Sequence, residues 1–370
     1  MNDKLDYPDR APAASTPAGL LIGLALAAPL MAQAQTNITI GGVIDAGVSY
    51  ITNQNGSNNT VVDTGIQSPN LFHIRGTEDL GGGNKVVFML QSQFQLDTGA
   101  QVGNLFGRQA WVGVTGDWGT VTVGNQYEFM FESLSATRFG PTIRLVSLHD
   151  LHQGPFQALG VDRNGMDFNR VAGATRVQNS IKYVSKPVNG FSGGAMIGLG
   201  EQSDRFGRNG TTSAGVNYGN GALMLNAAYT YAKLPTIDNG NGGIRNWGFG
   251  GRYTLGKQTY DLLYTNTTNT FTRAEVDVIE GGVATALSAT TGLRAYYHHM
   301  KGNAELTDNT SHQAGLLLDY ALSKRSDVYL NAIYQKVNGG SAARAWITAF
   351  AAGSSGDSQA VLRTGLRHSF

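Results

Sequence analysis

The stretch Leu223–Lys233 reads LMLNAAYTYAK. Leu223, Leu225, Ala227, Tyr229 and Tyr231 fall on one face, with Asn226 and Thr230 on the other. A period of two places alternate side chains on opposite faces of an extended chain, so this is a β-strand with one apolar and one polar side. The pattern recurs. Phe88, Leu90, Phe94 and Leu96 oppose Gln91, Gln93 and Gln95; Tyr260, Leu262 and Tyr264 oppose Thr259, Asp261 and Thr265; Leu316, Leu318 and Tyr320 oppose Gln313 and Asp319. A soluble sandwich has the same period, so alternation alone leaves two architectures open.

Three further features favour a membrane barrel. Tyr and Phe gather near the ends of the apolar faces, where aromatic girdles meet the bilayer interfaces. Connections alternate between tight ones, at 80–85, 116–119, 219–222, 255–258 and 322–326, and longer ones rich in Gly, Asn and Ser, at 53–68, 97–104, 202–210, 234–243 and 339–358. Short periplasmic turns and long outer loops produce that rhythm. The chain also ends in a strand on an aromatic residue, Phe370. The segments 36–52, 69–79, 84–96, 105–116, 119–128, 175–185, 190–200, 211–219, 221–233, 245–255, 257–267, 272–284, 290–301, 311–322, 327–337 and 359–370 are the expected strands. The fold class is therefore all-β, a 16-stranded antiparallel transmembrane β-barrel, wide enough for an aqueous channel.

Composition agrees. Of 370 residues 50 are Gly and none is Cys, and only 14% are charged, against roughly 25% in soluble domains. The net charge of +1 gives no electrostatic case for a nucleic-acid partner. Gly19–Met31 (GLLIGLALAAPLM) is apolar but shorter than the ~20 residues of a spanning helix. The A-x-A pattern of Ala32-Gln33-Ala34 follows it, so residues 1–34 read as a signal peptide and 35–370 as the barrel domain. Asp3, Asp6 and Asp9 against Lys4 and Arg10 are unusual for the start of such a leader.

One stretch, 129–174, follows neither period. It holds Glu132, Asp150, Asp162 and Asp167 against Arg138, Arg144, Arg163 and Arg170, with His149 and His152 between. Long irregular loops in compact domains are usually functional or disordered. Here the expectation is a loop folded into the lumen that narrows it.

VIDAGVSY (43–50), IRGTEDLGGGNKVVF (74–88), LFGRQAWVGV (105–114), GTVTVGNQY (119–127), QNSIKYVS (178–185), DYALSKRSDVY (319–329) and GLRHSF (365–370) resemble, in this order, the general porins of β-proteobacteria. The resemblance implies a homotrimeric outer-membrane porin whose loop after the fifth strand forms a constriction. It implies basic residues on the wall facing acidic ones on the loop. Arg108, in GRQAW, matches such a wall arginine, and strand parity then puts Trp111 on the outer face. Arg170 and Arg176 resemble further members of the basic side, and Arg75 shares the lumenal face of Leu71 and His73. Asp150 and Asp162 are the acidic candidates from proximity. The chain departs from the family where Leu71 and Asn125 stand in place of arginines, and where Pro155-Phe156 lacks the acid of a loop tip. Leu366 and Phe370, on the outer face of the last strand with Leu362, correspond to the family's assembly signal; Arg363 and Arg367 face inward.

Other chemistries are poorly supported. Gly81-Gly82-Gly83 is not followed by the Lys-Ser/Thr and helix of a phosphate loop. His149-x-x-His152 and His298-His299 lack the H-E-x-x-H setting of a zinc site, so neither a metal nor a cofactor is expected. No Ser sits in G-x-S-x-G, which speaks against a hydrolase. The expected function is passive, weakly anion-leaning diffusion of small hydrophilic solutes and ions across the outer membrane. Expected partners are the chain's own copies, lipid and lipopolysaccharide, and the barrel-assembly machinery. A substrate-specific channel and a plugged structural or adhesive barrel are the alternatives.

Overall fold

The computed structural model describes residues 37–135, 152–162, 165–203, 205, 207–348 and 352–370. The expected leader and Asp150 lie outside these residues. The first nine strands are β1 (Asn37–Gln54), β2 (Ser57–Thr64), β3 (Leu71–Gly81), β4 (Asn84–Gln93), β5 (Gln109–Gly116), β6 (Gly119–Gln126), β7 (Val177–Val184), β8 (Phe191–Gly198) and β9 (Thr211–Gly219). The remainder are β10 (Leu223–Lys233), β11 (Gly243–Leu255), β12 (Gln258–Asn269), β13 (Glu275–Ala286), β14 (Thr291–Gly302), β15 (Thr310–Ala321), β16 (Ser326–Asn338) and β17 (Ser358–Ser369). Apart from β2 with β3, consecutive strands pair antiparallel, and β17 pairs with β1 to close the sheet.

Seventeen segments make sixteen staves, because β2 and β3 lie end to end along one edge of β1. Val43 at the middle of β1 pairs with Leu71 of β3, and Ala46 with Thr64 of β2. By sequence, 57–64 falls within a long connection. It is instead the return arm of a hairpin, turned by Asn55 and Gly56 at φ 49° and 96°. Two successive positive φ values define the turn whose twist suits a two-residue hairpin, and Asn-Gly supplies them without strain. The polar run SNNT at the start of the arm hides its strand character from a reading based on alternation.

The two faces of the wall are as alternation predicts. Leu225, Tyr229, Tyr260, Leu262, Leu316, Leu318 and Leu362 are exposed outward. Asn226, Thr230, Asp261, Thr265 and Gln313 are buried on the inner side. Closure leaves no sheet edge, which matters where each backbone group unpaired in lipid costs several kcal/mol.

The seam between β1 and β17 carries a buried polar network. Asp45 accepts hydrogen bonds from the amides of Ile66 and Gln67 (both 2.8 Å) and from the Tyr329 hydroxyl (2.5 Å). The Arg363 guanidinium, sealed from solvent, reaches Asp45 at 3.3 Å, donates to Ser49 Oγ and Tyr329 Oη, and pairs with Asp63. At the seam's end the Gly42 amide donates to the Phe370 carbonyl, and the Phe370 amide to the Gly42 carbonyl, both at 3.1 Å.

Candidate pore and the loop packed inside it

Beyond β6 the chain turns inward as the short helix α1 (Phe129–Leu134). Glu128 caps it, accepting from the amides of Met130 (2.7 Å) and Phe131 (3.3 Å). The Glu128 carboxylate also accepts from the Thr230 hydroxyl of β10, and the Phe129 amide donates to Ser213 Oγ of β9 at 3.0 Å. These bonds tie the helix start to the wall. Phe129, Met130 and Leu134 pack with Val184, Met196, Ala228 and Leu263, which belong to the inner face. Two wall glycines make the room. A Cβ on Gly215 would meet Ser133 Oγ at 2.4 Å, and one on Gly194 would meet Phe129 Cζ at 2.5 Å. Gly215 accepts no side chain while the helix lies where it does; at Gly194 the Tyr183 carbonyl of the neighbouring strand, 2.3 Å from a Cβ, adds to the exclusion.

The described remainder of the loop follows the wall further round. Phe156, Leu159 and Phe168 bury themselves against Ala274, Val276, Val278, Met300 and Leu306. Wall asparagines hold its backbone: Asn246 Nδ2 donates to the Phe168 carbonyl at 2.8 Å and Asn269 Nδ2 to the Leu159 carbonyl at 3.0 Å. Pro155-Phe156, expected at a tip, is thus an anchor, with the Phe156 ring wholly buried. At the loop's return Asp167 accepts from the amides of Ala172 and Ala174, both at 2.8 Å. Burial pushes its carboxyl up to about 6 despite those bonds. Burial likewise raises Glu128, against the pull of nearby Arg170.

The candidate arginines do not form one row. Arg108 is buried, donates from Nη1 to the Gly173 carbonyl at 3.3 Å and lies over the Tyr127 ring. Arg176 donates to the same carbonyl at 3.1 Å, to the Ala174 carbonyl at 2.9 Å and to the Gly107 carbonyl at 3.1 Å. Together they clasp the returning loop. Asn125, which also donates to the Gly107 carbonyl, joins this clasp. Arg170 is buried within the loop base at φ 65°. Arg75 stands apart: it is exposed, on the face of β3 opposite Ile74, which pairs with the outward Ile40. Asp162 is exposed on the loop.

One orientation differs from expectation. Val112 and Val114 are exposed outward, so Trp111, of opposite parity, faces inward, bonding Gln109 Oε1 at 2.9 Å beside Gln91. Arg108 shares the parity of Val112 and reaches the loop only because the chain bends before β5 begins.

Charged pairs that the sequence reading did not single out also line the inner face. Lys182 meets Glu132 of α1 at 2.7 Å. Arg294 grips Asp261 with two bonds, at 2.7 and 3.0 Å, and stands 3.7 Å from Glu280. Lys182, Asp261, Glu280 and Arg294 are legible as inward positions in alternating strands, though their partners are not.

The sequence profile described as Gram-negative porin matches residues 20–340. An outer membrane porin protein of Bordetella pertussis is 30% identical over 286 residues, 68% of each chain. Outer membrane porin protein 32 of Delftia acidovorans is 28% identical over 369 residues, 95% of this chain and 99% of that one. Among solved structures, an anion-selective porin from Comamonas acidovorans superposes with a TM-score of 0.73 at 23% identity, covering 91% of this chain and all of the other. The trimer form of OmpT from Vibrio cholerae has a TM-score of 0.65 at 13% identity, over 90% of this chain and 99% of the other. A closed sixteen-stave barrel with an apolar outside, a polar inside and a loop packed against the inner wall thus comes with a family profile spanning most of the sequence, and the chain belongs to the Gram-negative porin family.

Proposed function

We propose that this porin is a weakly anion-leaning diffusion pore for small hydrophilic solutes, assembled as a homotrimer, with the loop 129–174 as its constriction. The carrying observation is Arg75, an exposed guanidinium on the inner face with no carboxylate in ion-pair reach among the described residues. Of the buried inner carboxylates, Asp45, Glu132, Asp261 and Glu280 are each matched by a cation or histidine, and Glu128 and Asp167 share the field of Arg170. An unmatched cation in a narrow polar passage favours anions through its field. The anion selectivity of the Comamonas porin and the trimer of the Vibrio protein support the same reading.

The experiment is a planar-bilayer recording on purified protein in a salt gradient. A reversal potential of anionic sign, with conductance steps in threes, is the expected result. A closed or strongly cation-selective channel overturns it. Residues 1–34 as a cleaved leader, Leu366 and Phe370 as the assembly signal, and lipid and lipopolysaccharide as neighbours belong to the same proposal.

A further inference from the structure

The inner wall and the loop bring together a third set of groups that a diffusion pore does not require. His152 comes from the loop, Glu280 from β13 and His298 from β14, and all three side chains are sealed from solvent. His152 Nε2 lies 3.2 Å from Glu280 Oε2, and His298 Nδ1 lies 3.8 Å from the same oxygen. One donor atom from each residue falls within 4.8 Å of the others. Among the described residues neither ring nitrogen of His298 has a hydrogen-bond partner, and Glu280 Oε1 has only the Arg294 guanidinium, 3.7 Å away. Buried polar atoms left unmatched are uncommon and call for an explanation. We propose that His152, Glu280 and His298 bind a divalent transition-metal ion of the zinc class, which ties the inward loop to the barrel wall.

The chemistry of the donors selects that class. Two imidazoles and one carboxylate suit zinc and its nitrogen-preferring neighbours, whereas calcium and magnesium take all-oxygen sets. Zn–N and Zn–O bonds of about 2.0–2.2 Å put one ion within reach of all three donors after small side-chain rotations. Three protein ligands leave a fourth position for water. The Arg294–Asp261 pair beside the cluster is neutral as a unit, so Glu280 supplies the local negative charge.

The surroundings also fit. Asn169 Nδ2 lies 2.8 Å from His152 Nδ1 and 2.9 Å from Thr265 Oγ1, while its Oδ1 is buried without a partner. Rotating that amide by half a turn directs the oxygen at His152 Nδ1–H, which frees Nε2 for the metal. An outer carbonyl that fixes the tautomer and orientation of a ligating histidine is a common partner of metal sites. Phe168 packs near His152 at 6.1 Å between ring centroids, and this apolar side limits access of water.

No sequence motif announces this site, because its parts come from the loop and two separate strands. The adjacent pair His298-His299 is not the unit. His299 alternates to the outer face, where its ring lies 4.6 Å from that of His312.

The test is a Co2+ titration of the detergent-folded protein, followed in the visible spectrum and reversed by Zn2+. Wild type should take up one ion per chain with the intense bands of a four-coordinate nitrogen–oxygen site. His298→Ala and Glu280→Gln should each weaken binding by about 100-fold or more, and Asn169→Ala by about 10-fold. His299→Ala, which removes the outer histidine pair, should leave the bands and the affinity in place. His152→Ala keeps the question open to test if a wall variant fails to fold, since that residue lies outside every strand. Absence of Co2+ uptake in wild type overturns the proposal, as does a site that survives both His298→Ala and His152→Ala or one that vanishes with His299→Ala.

Discussion

Lys182 Nζ lies 2.7 Å from Glu132 Oε1, with side-chain exposures of 2% and 8%. This contact joins the first helix of the inward loop to β7, and the same ammonium donates to the Tyr127 carbonyl at 2.9 Å. Removing one member of a buried pair leaves an uncompensated charge and costs about 3–5 kcal/mol. Lys182→Met should therefore detach α1 from the wall without opening the barrel. The expected record is a normally heat-modifiable protein with a larger and noisier open-channel current. Lys182→Met with Glu132→Gln should recover part of the loss, because the charge is then gone from both sides. A current identical to wild type in the single variant would mean the loop is held by its other contacts alone.

The glycine seats beneath the helix give a steric counterpart. Gly215→Ala places a methyl 2.4 Å from Ser133 Oγ and 2.7 Å from Phe129 Cδ1. Overpacking of this kind costs about 1–3 kcal/mol, and the helix is easier to displace than the closed sheet. Proteolysis within the loop should become faster in Gly215→Ala. Gly281→Ala, where the nearest atoms stand at 3.8 Å, is the matched control and should behave as wild type.

If the loop narrows the passage, replacing most of 129–174 by a short linker should raise single-channel conductance. Larger sugars should also enter liposomes faster. Unchanged conductance would place the constriction elsewhere.

The arginines should separate by role. Arg75→Glu reverses an exposed charge that has no ion-pair partner among the described residues, so it should shift the reversal potential toward cations, and the shift should shrink as salt rises past ~0.1 M, where the screening length is about 10 Å. Arg108→Ala removes a buried guanidinium that holds the Gly173 carbonyl. It should act first on loop stability and current noise, with a smaller effect on reversal potential. Selectivity moving in Arg108→Ala but not in Arg75→Glu would reverse the assignment.

Phe370 contributes two backbone hydrogen bonds to Gly42 and a ring that fills the space over it; a Cβ there would meet Phe370 Cζ at 2.6 Å. Deleting Phe370 should sharply lower the amount of folded protein in the outer membrane. Phe370→Tyr should be tolerated. Wild-type levels in the deletion would remove the residue from assembly.

Strands were legible where one face is apolar, as in Leu223–Lys233 and in β12, because burial against lipid imposes period two on the sequence. The hairpin arm β2 was missed although Asn55-Gly56 signals its turn, since its first residues are polar on both faces. Trp111 was assigned to the wrong side by carrying parity through Arg108, across a bend that ends the regular backbone. The loop's location was readable from its broken pattern. Its anchors were not: Phe156 against β13 and β14, or His152 beside Glu280 and His298, depend on how far the loop runs round the wall, and no local period records that distance.

Asp45 and Arg363 meet across 318 positions of chain. Their ion pair can form only after the final strand has docked on the first. Until then Asp45 lacks one of the partners that its buried position demands. The closing contacts are thus among the most non-local in the molecule, and such topologies fold slowly because the chain's ends must find each other before the pairing rewards them. Nascent chains shortened before β17 retain an unsealed seam with a carboxylate at its heart, and that seam is where a folding catalyst has most to do.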